Sequence, residues 1–197
     1  MNLALFDFDG TITTREMMPD FMVAAVPPLR LALGRVLLAP WIIGYKLGLV
    51  SGVTVRRVIV RFGFSGVSEA ALSQAGHRFA AEVLPGVLRP QAMERIAWHK
   101  AQGDTVVVVS GALDVYLAHW CRTHDLALLC SALETREGKL TGRYDGAQCV
   151  RAEKARRVAE HYDLSRYPLV YAYGDTPEDE DLLALAHRRY YGWQARD

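Results

Sequence analysis

Two spacings of apolar residues alternate along this chain and divide it into unlike parts. Short apolar runs at residues 3–8, 105–109, 126–130, 169–173 and, more weakly, 189–193 read as strands. The run Val106-Val107-Val108-Val109 does not alternate at all, the pattern of a strand covered on both faces. Between these runs, apolar residues return every three or four positions. Leu113, Leu117, Trp120 and Cys121 form one such stripe; Ala155, Val158, Ala159 and Tyr162 form another. Pro90 suits a first helical turn and Gly103 a stop, bracketing a helix through Met93, Ile96 and Ala97. Glu137-Gly138-Lys139, between Leu133 and Leu140, predicts a small hairpin. Strands alternating with helices predict an α/β fold with a mostly parallel sheet.

Residues 15–84 break that alternation. Helical patterns over 17–25, 29–47 (with Pro40 as a break), 53–62 and 69–82 follow one another without a strand. We read this stretch as an all-helical cap inserted after the first strand, with 1–14 and 85–197 forming the core. At 197 residues the chain can bury a full core and carry such an insertion. Arg35 and Lys46 interrupt the longest apolar stretch, so no transmembrane helix is predicted; an interfacial helix stays open.

Charge sharpens the division. The formal net charge is +1, yet residues 21–64 hold Arg30, Arg35, Lys46, Arg56, Arg57 and Arg61 and no acid, leaving 17 basic against 22 acidic residues elsewhere. A basic, apolar segment beside an acidic body predicts an anionic partner, either a phosphorylated metabolite or a membrane surface touched peripherally. The same apolar residues would equally serve the cap's own core or a dimer contact. Nothing in this pattern calls for nucleic acid. Cys121, Cys130 and Cys149 lack metal-ligand spacing, and the first strand starts two residues after Met1. Both point to reduced thiols in a cytoplasmic protein without a secretory leader.

The candidate chemistry gathers at strand ends. The first strand closes on Asp7-Phe8-Asp9-Gly10-Thr11, two carboxylates one residue apart. At the carboxyl end of a parallel strand they would face the ligand crevice, and like charges so close call for a cation. Mg²⁺ would resolve the conflict and leave a carboxylate free to react. Ser110-Gly111 follows the all-valine strand, Lys154 opens a later helix, and Gly174-Asp175 ends another strand, with Asp179 four residues on in the first turn of the next helix. Thr176 with Asp179 also fits a helix N-cap box.

These motifs, in this order, resemble the four signatures of haloacid dehalogenase-like phosphatases, and the inserted helices resemble the phosphoserine-phosphatase-like branch. The resemblance spans the whole chain and implies a Rossmann-like three-layer core with a helical cap. It implies Asp7 as nucleophile, forming an aspartyl-phosphate, and Asp9 as acid and then base. Thr11 would support the loop, Ser110 and the Gly111 N–H would bind phosphoryl oxygens, and Lys154 would neutralise charge. Asp7, Asp175 and the Asp9 carbonyl would hold Mg²⁺, and Asp179 would orient a water on the metal or Lys154.

Glu16 falls where phosphoserine phosphatases carry an amine-binding glutamate, and Arg56 or Arg57 would resemble their carboxylate-binding arginine. The last motif departs from theirs at Thr176 and Glu178. The apolar, basic cap is more like relatives acting on phospholipid head groups such as phosphatidylglycerophosphate. A phospho-acceptor or inert binding protein on this scaffold is the alternative; the receiver-domain version of it lacks a cap, and here every reactive position is filled.

Overall fold

In the computed structural model, which describes residues 1–196, strand β1 (Leu3–Phe6) lies at the middle of the sheet, wholly buried. The described residues form a seven-stranded sheet in the order β4-β3-β2-β1-β5-β6-β7. Here β2 is Thr105–Leu113, β3 Ala127–Arg136, β4 Lys139–Asp145, β5 Val170–Gly174, β6 Arg188–Tyr191 and β7 Gln194–Arg196. Strands β1, β2, β3, β5 and β6 run parallel; β4 and β7 are antiparallel edges.

Period-two alternation splits the central strands between two cores. Ala4, Phe6, Val106 and Val108 face one apolar cluster; Leu3, Leu5, Val107 and Val109 face the other. The first is covered by α6 (Pro90–Ala101), α7 (Asp114–Thr123) and the cap. The second is covered by α8 (Ala152–His161) and α9 (Glu180–Ala184). The result is the three-layer α/β architecture expected from the sequence.

The all-helical insertion comprises α1 (Met18–Ala25), α2 (Pro28–Leu37), α3 (Ala39–Lys46), α4 (Gly52–Phe64) and α5 (Glu69–Glu82). Helices α2 and α3 meet at Leu38, and Pro40 occupies the first turn of α3, where its missing N–H costs nothing. Three details differ from the sequence reading. The strand β2 runs on past Val109 to Leu113, with a register shift between Ser110 and Leu113. Asp179 ends a short 3-10 turn (Pro177–Asp179) and stands at the residue before α9, rather than on the first turn of that helix. Strand β7 was not foreseen; the turn at Gly192-Trp193 folds it back onto β6. No helix among the described residues is long and apolar enough to cross a membrane.

Candidate active site

The sheet order changes direction at β1, whose neighbours are β2 and β5, so the crevice opens at the carboxyl ends of these three strands. Asp7 emerges from β1 with its N–H bonded to the Tyr173 carbonyl at 2.9 Å, and its side chain is buried. Lys154, on the first turn of α8 and equally buried, donates to Asp7 Oδ1 and to Asp179 Oδ1, each at 2.5 Å. One ammonium thus bridges two carboxylates.

The rest of the Asp179 carboxylate is committed to the protein. Its Oδ2 accepts from the Asp175 N–H, the Thr176 N–H and the Thr176 hydroxyl, at 3.0–3.1 Å. The capping box expected from Thr176 and Asp179 is present, and the same aspartate also aims Lys154. Asp175 accepts the Thr11 hydroxyl at 2.8 Å on Oδ1. Gly10 makes that approach possible: its φ is +78°, and a Cβ there would lie 2.3 Å from Asp175 Oδ2.

Asp9 stands apart from this cluster. Its Oδ1 accepts from the Met17 N–H at 3.1 Å, at the residue preceding α1. The second acid is therefore held by the entrance to the cap. Ser110 is buried, its Oγ accepting from the Ala112 N–H at 3.1 Å, and with Gly111 it lines the cavity from β2.

The electrostatics follow from burial. Burial lifts the Asp7 carboxyl to about 7, with Lys154 opposing and Asp179 adding to the rise. Burial, followed by the Asp7 charge, lifts Asp9 to about 8. Asp175 is also raised, by burial against its Thr11 bond. For Lys154 burial acts downward, but the carboxylates of Asp7 and Asp179 outweigh it and hold the ammonium charged. Excess negative charge in a buried crevice is the condition a divalent cation relieves.

The donor set fits such a cation. Asp7, Asp175 and Asp179 offer carboxylate oxygens within 4.8 Å of one another, and all are hard donors suited to Mg²⁺. Since Asp179 is spent on Lys154 and the loop, Asp7 and Asp175 are the pair that each keep an oxygen outside the hydrogen bonds described above.

Asp7, Asp9, Ser110, Lys154 and Asp175 line a cavity of about 380 Å³ whose other wall comes from the cap. Glu16, exposed, and Arg56 both reach it. Arg56 is already engaged: its Nη2 donates to both Glu178 carboxylate oxygens at 2.8 and 3.0 Å, and its Nε to Gln148 at 3.0 Å. Burial works against its charge, yet Glu178 more than compensates. Arg57, the alternative, is exposed and is not among the residues lining the cavity.

Three supports escaped the sequence reading. Arg89 Nε donates to the carbonyls of Gly10 and Thr13 at 3.0 and 3.1 Å. The Thr13 hydroxyl accepts from the Gly10 N–H and donates within the same loop. Trp193 Nε1 donates to the Thr11 carbonyl at 3.1 Å. No local pattern marks Arg89 or Trp193, because each acts on a loop more than 70 residues away in the chain.

A parallel sheet with its acids and one lysine at a central strand end, under an inserted helical cap, defines a capped Rossmann-like hydrolase fold. The profile of haloacid dehalogenase-like hydrolases matches residues 4–184, and the chain belongs to that family. It is 30% identical to Protein CicA of Caulobacter vibrioides (strain NA1000 / CB15N) over 96% of this chain and 85% of that one. Among solved structures it is similar to a protein of unknown function from Bordetella pertussis Tohama I, with TM-score 0.80, 23% identity and coverage of 96% and 89%. A phosphoserine phosphatase captured as a phospho-aspartyl intermediate analogue gives TM-score 0.68, 20% identity and coverage of 96% and 85%. At that identity the likeness is one of fold.

Proposed function

We propose that this protein is a Mg²⁺-dependent phosphomonoesterase working through an aspartyl-phosphate on Asp7. The observation that carries the reading is the buried Asp7–Lys154–Asp179 bridge at the end of the central strand, with Asp9 two residues on. A carboxylate oxygen of Asp7 attacks phosphorus, and the bond from phosphorus to the ester oxygen breaks. Asp9 gives its proton to the departing alcohol. It then takes a proton from the water that attacks the phosphoryl group, and inorganic phosphate leaves with Asp7 restored. Asp9 carries a raised pKa, suiting it to enter as an acid. Lys154 counters charge on Asp7 and on the phosphoryl oxygens, while Ser110 and the Gly111 N–H hold those oxygens. Mg²⁺, held by Asp7, Asp175 and the Asp9 carbonyl, would supply further charge neutralisation, the dominant need in phosphoryl transfer.

The substrate is a small phosphorylated metabolite, phosphoserine-like, or a phospholipid head group such as phosphatidylglycerophosphate. Glu16 at the cavity supports an aminated group. The engagement of Arg56 by Glu178 weighs against a carboxylate on the same molecule. The test is turnover of an aryl phosphate, with and without Mg²⁺, by the wild type and Asp7→Asn. Activity should vanish in the variant while the fold is kept; Asp7→Asn activity within about tenfold of wild type would end the covalent mechanism. Asp9→Asn should slow both steps, and beryllium fluoride should form an adduct on Asp7.

Metal binding has a readout apart from turnover. Folded-state pKa values of about 7 and 8 lie above the usual 3.8, so these carboxyls support folding below about pH 4 and withdraw that support as pH rises through 7–8. In a chelator, the melting temperature should fall between pH 5 and 9. Added Mg²⁺ should reverse most of the fall, and a profile indifferent to Mg²⁺ would count against the assigned ligands.

A further inference from the structure

The cap carries a large apolar surface that the proposed chemistry does not use. Helix α3 has no buried residue, and α2 buries only Gly34. Leu29, Val36, Leu47 and Leu49 are 85, 72, 67 and 80% exposed, with Trp41 and Ile43 beside them at 43 and 56%. Exposed apolar side chains concentrated on two neighbouring helices mark an interaction site.

The charge on this surface selects the medium. Over residues 21–64 there are six basic residues and no acid; Arg35 on α2 and Lys46 on α3 are exposed, and exposed Arg61 of α4 lies beside Leu29 and Leu33. A surface of one charge sign complements an anionic one. Long basic side chains that lay their stems along apolar surface, with tryptophan and tyrosine among them, suit the boundary of an anionic bilayer. Tyr45, exposed on α3, also lines the catalytic cavity, so this surface is continuous with the cavity mouth.

We propose that α2, α3 and the turn into α4 dock on an anionic lipid bilayer, presenting the cavity mouth to phosphomonoesters held in that bilayer. The substrate part rests on the phosphatase reading; the docking part does not.

Flotation with vesicles of phosphatidylcholine alone, or with about one-third phosphatidylglycerol, tests it at low and high salt. The wild type should float with the anionic vesicles at low salt, leave them at high salt and ignore the neutral ones. Its tryptophan emission should shift to the blue on binding, a change absent in Trp41→Phe. Arg35→Gln with Lys46→Gln, and separately Ile43→Gln with Leu49→Gln, should each weaken binding by about tenfold or more. Aryl phosphate turnover should stay at the wild-type level in both, while turnover of a phosphomonoester lipid in vesicles falls with binding.

Three results would overturn the proposal: wild-type protein that ignores anionic vesicles at low salt, variants that float as well as wild type, or a wild-type dimer that Ile43→Gln with Leu49→Gln dissociates. Flotation is read without turnover. Failure of the phosphatase reading therefore shows as a floating protein inert on every phosphomonoester, which a failure of docking would not produce.

Discussion

The two halves of the cap are built from similarly apolar sequence and put to opposite use. In α1 and α5 the apolar residues turn inward. Phe21 and Phe79 pack on each other and on Tyr116 of the core, with ring centroids 4.9–5.2 Å apart. Gly76 brings α5 so near α7 that a Cβ would lie 1.9 Å from the Val115 carbonyl oxygen. In α2 and α3 the apolar residues turn outward, and Gly34 is the one buried position among them. Apolar content therefore says little about what a helix covers; register and neighbours decide it. One half fixes the cap to the catalytic core, and the other leaves its apolar residues exposed.

The contrast can be tested from its strongest point downward. Phe79→Ala empties a filled aromatic cluster and should cost about 3–5 kcal/mol in urea unfolding. Ile43→Ala on α3 should stay within about 0.5 kcal/mol; a comparable loss there would show that α3 is not surface. Next comes Gly76→Ala. Its methyl group meets main chain, which cannot swing aside, so α5 must lift from α7 at about 1–3 kcal/mol. By contrast Gly44→Ala in α3 meets only the Val50 side chain, and the helix propensity of alanine should offset the contact to within about 1 kcal/mol.

The smallest effect concerns Asp114, at the start of α7 where α5 packs. Burial raises its carboxyl to about 6, Asp145 and Glu69 adding to the rise, and its buried Oδ1 has no hydrogen-bond partner among the described residues. A raised pKa supports folding below about pH 4 and loses that support as pH climbs through 6. Asp114→Asn removes the titration. Its melting temperature relative to wild type should therefore rise from pH 4 to pH 7, by a few degrees at most. A difference flat across that range would mean the carboxyl is not strained at the seam.

Much of this was legible in the sequence because the relevant forces act locally. The valine run, the strand-end acids and the cap box at Thr176 each announce themselves within a few residues. The edges of β2 and the return of β7 did not, since a register shift and a turn at Gly192-Trp193 are settled by neighbouring strands. At the site, spacing marked Asp7, Lys154, Asp175 and Asp179, which the fold brings together. It did not mark Arg89 or Trp193, whose partners are set by the fold alone. Nor did it reveal that Arg56 is paired, because Glu178 lies 122 residues away. Long-range pairing of this kind leaves no periodic trace.

That pair has a mechanical consequence. Glu178 is tied in three directions: its carboxylate to Arg56 of the cap, its N–H to the Thr176 hydroxyl, and its carbonyl to the N–H of Arg151. Arg151 sits at φ +52°, a conformation costly for any residue but glycine, and leads directly into the helix that carries Lys154. A pull on the cap is thus delivered through one side chain to the two loops that aim Lys154 and Asp175. Glu178 acts as a linkage pin, joining the cap through one residue to the segment that carries Lys154.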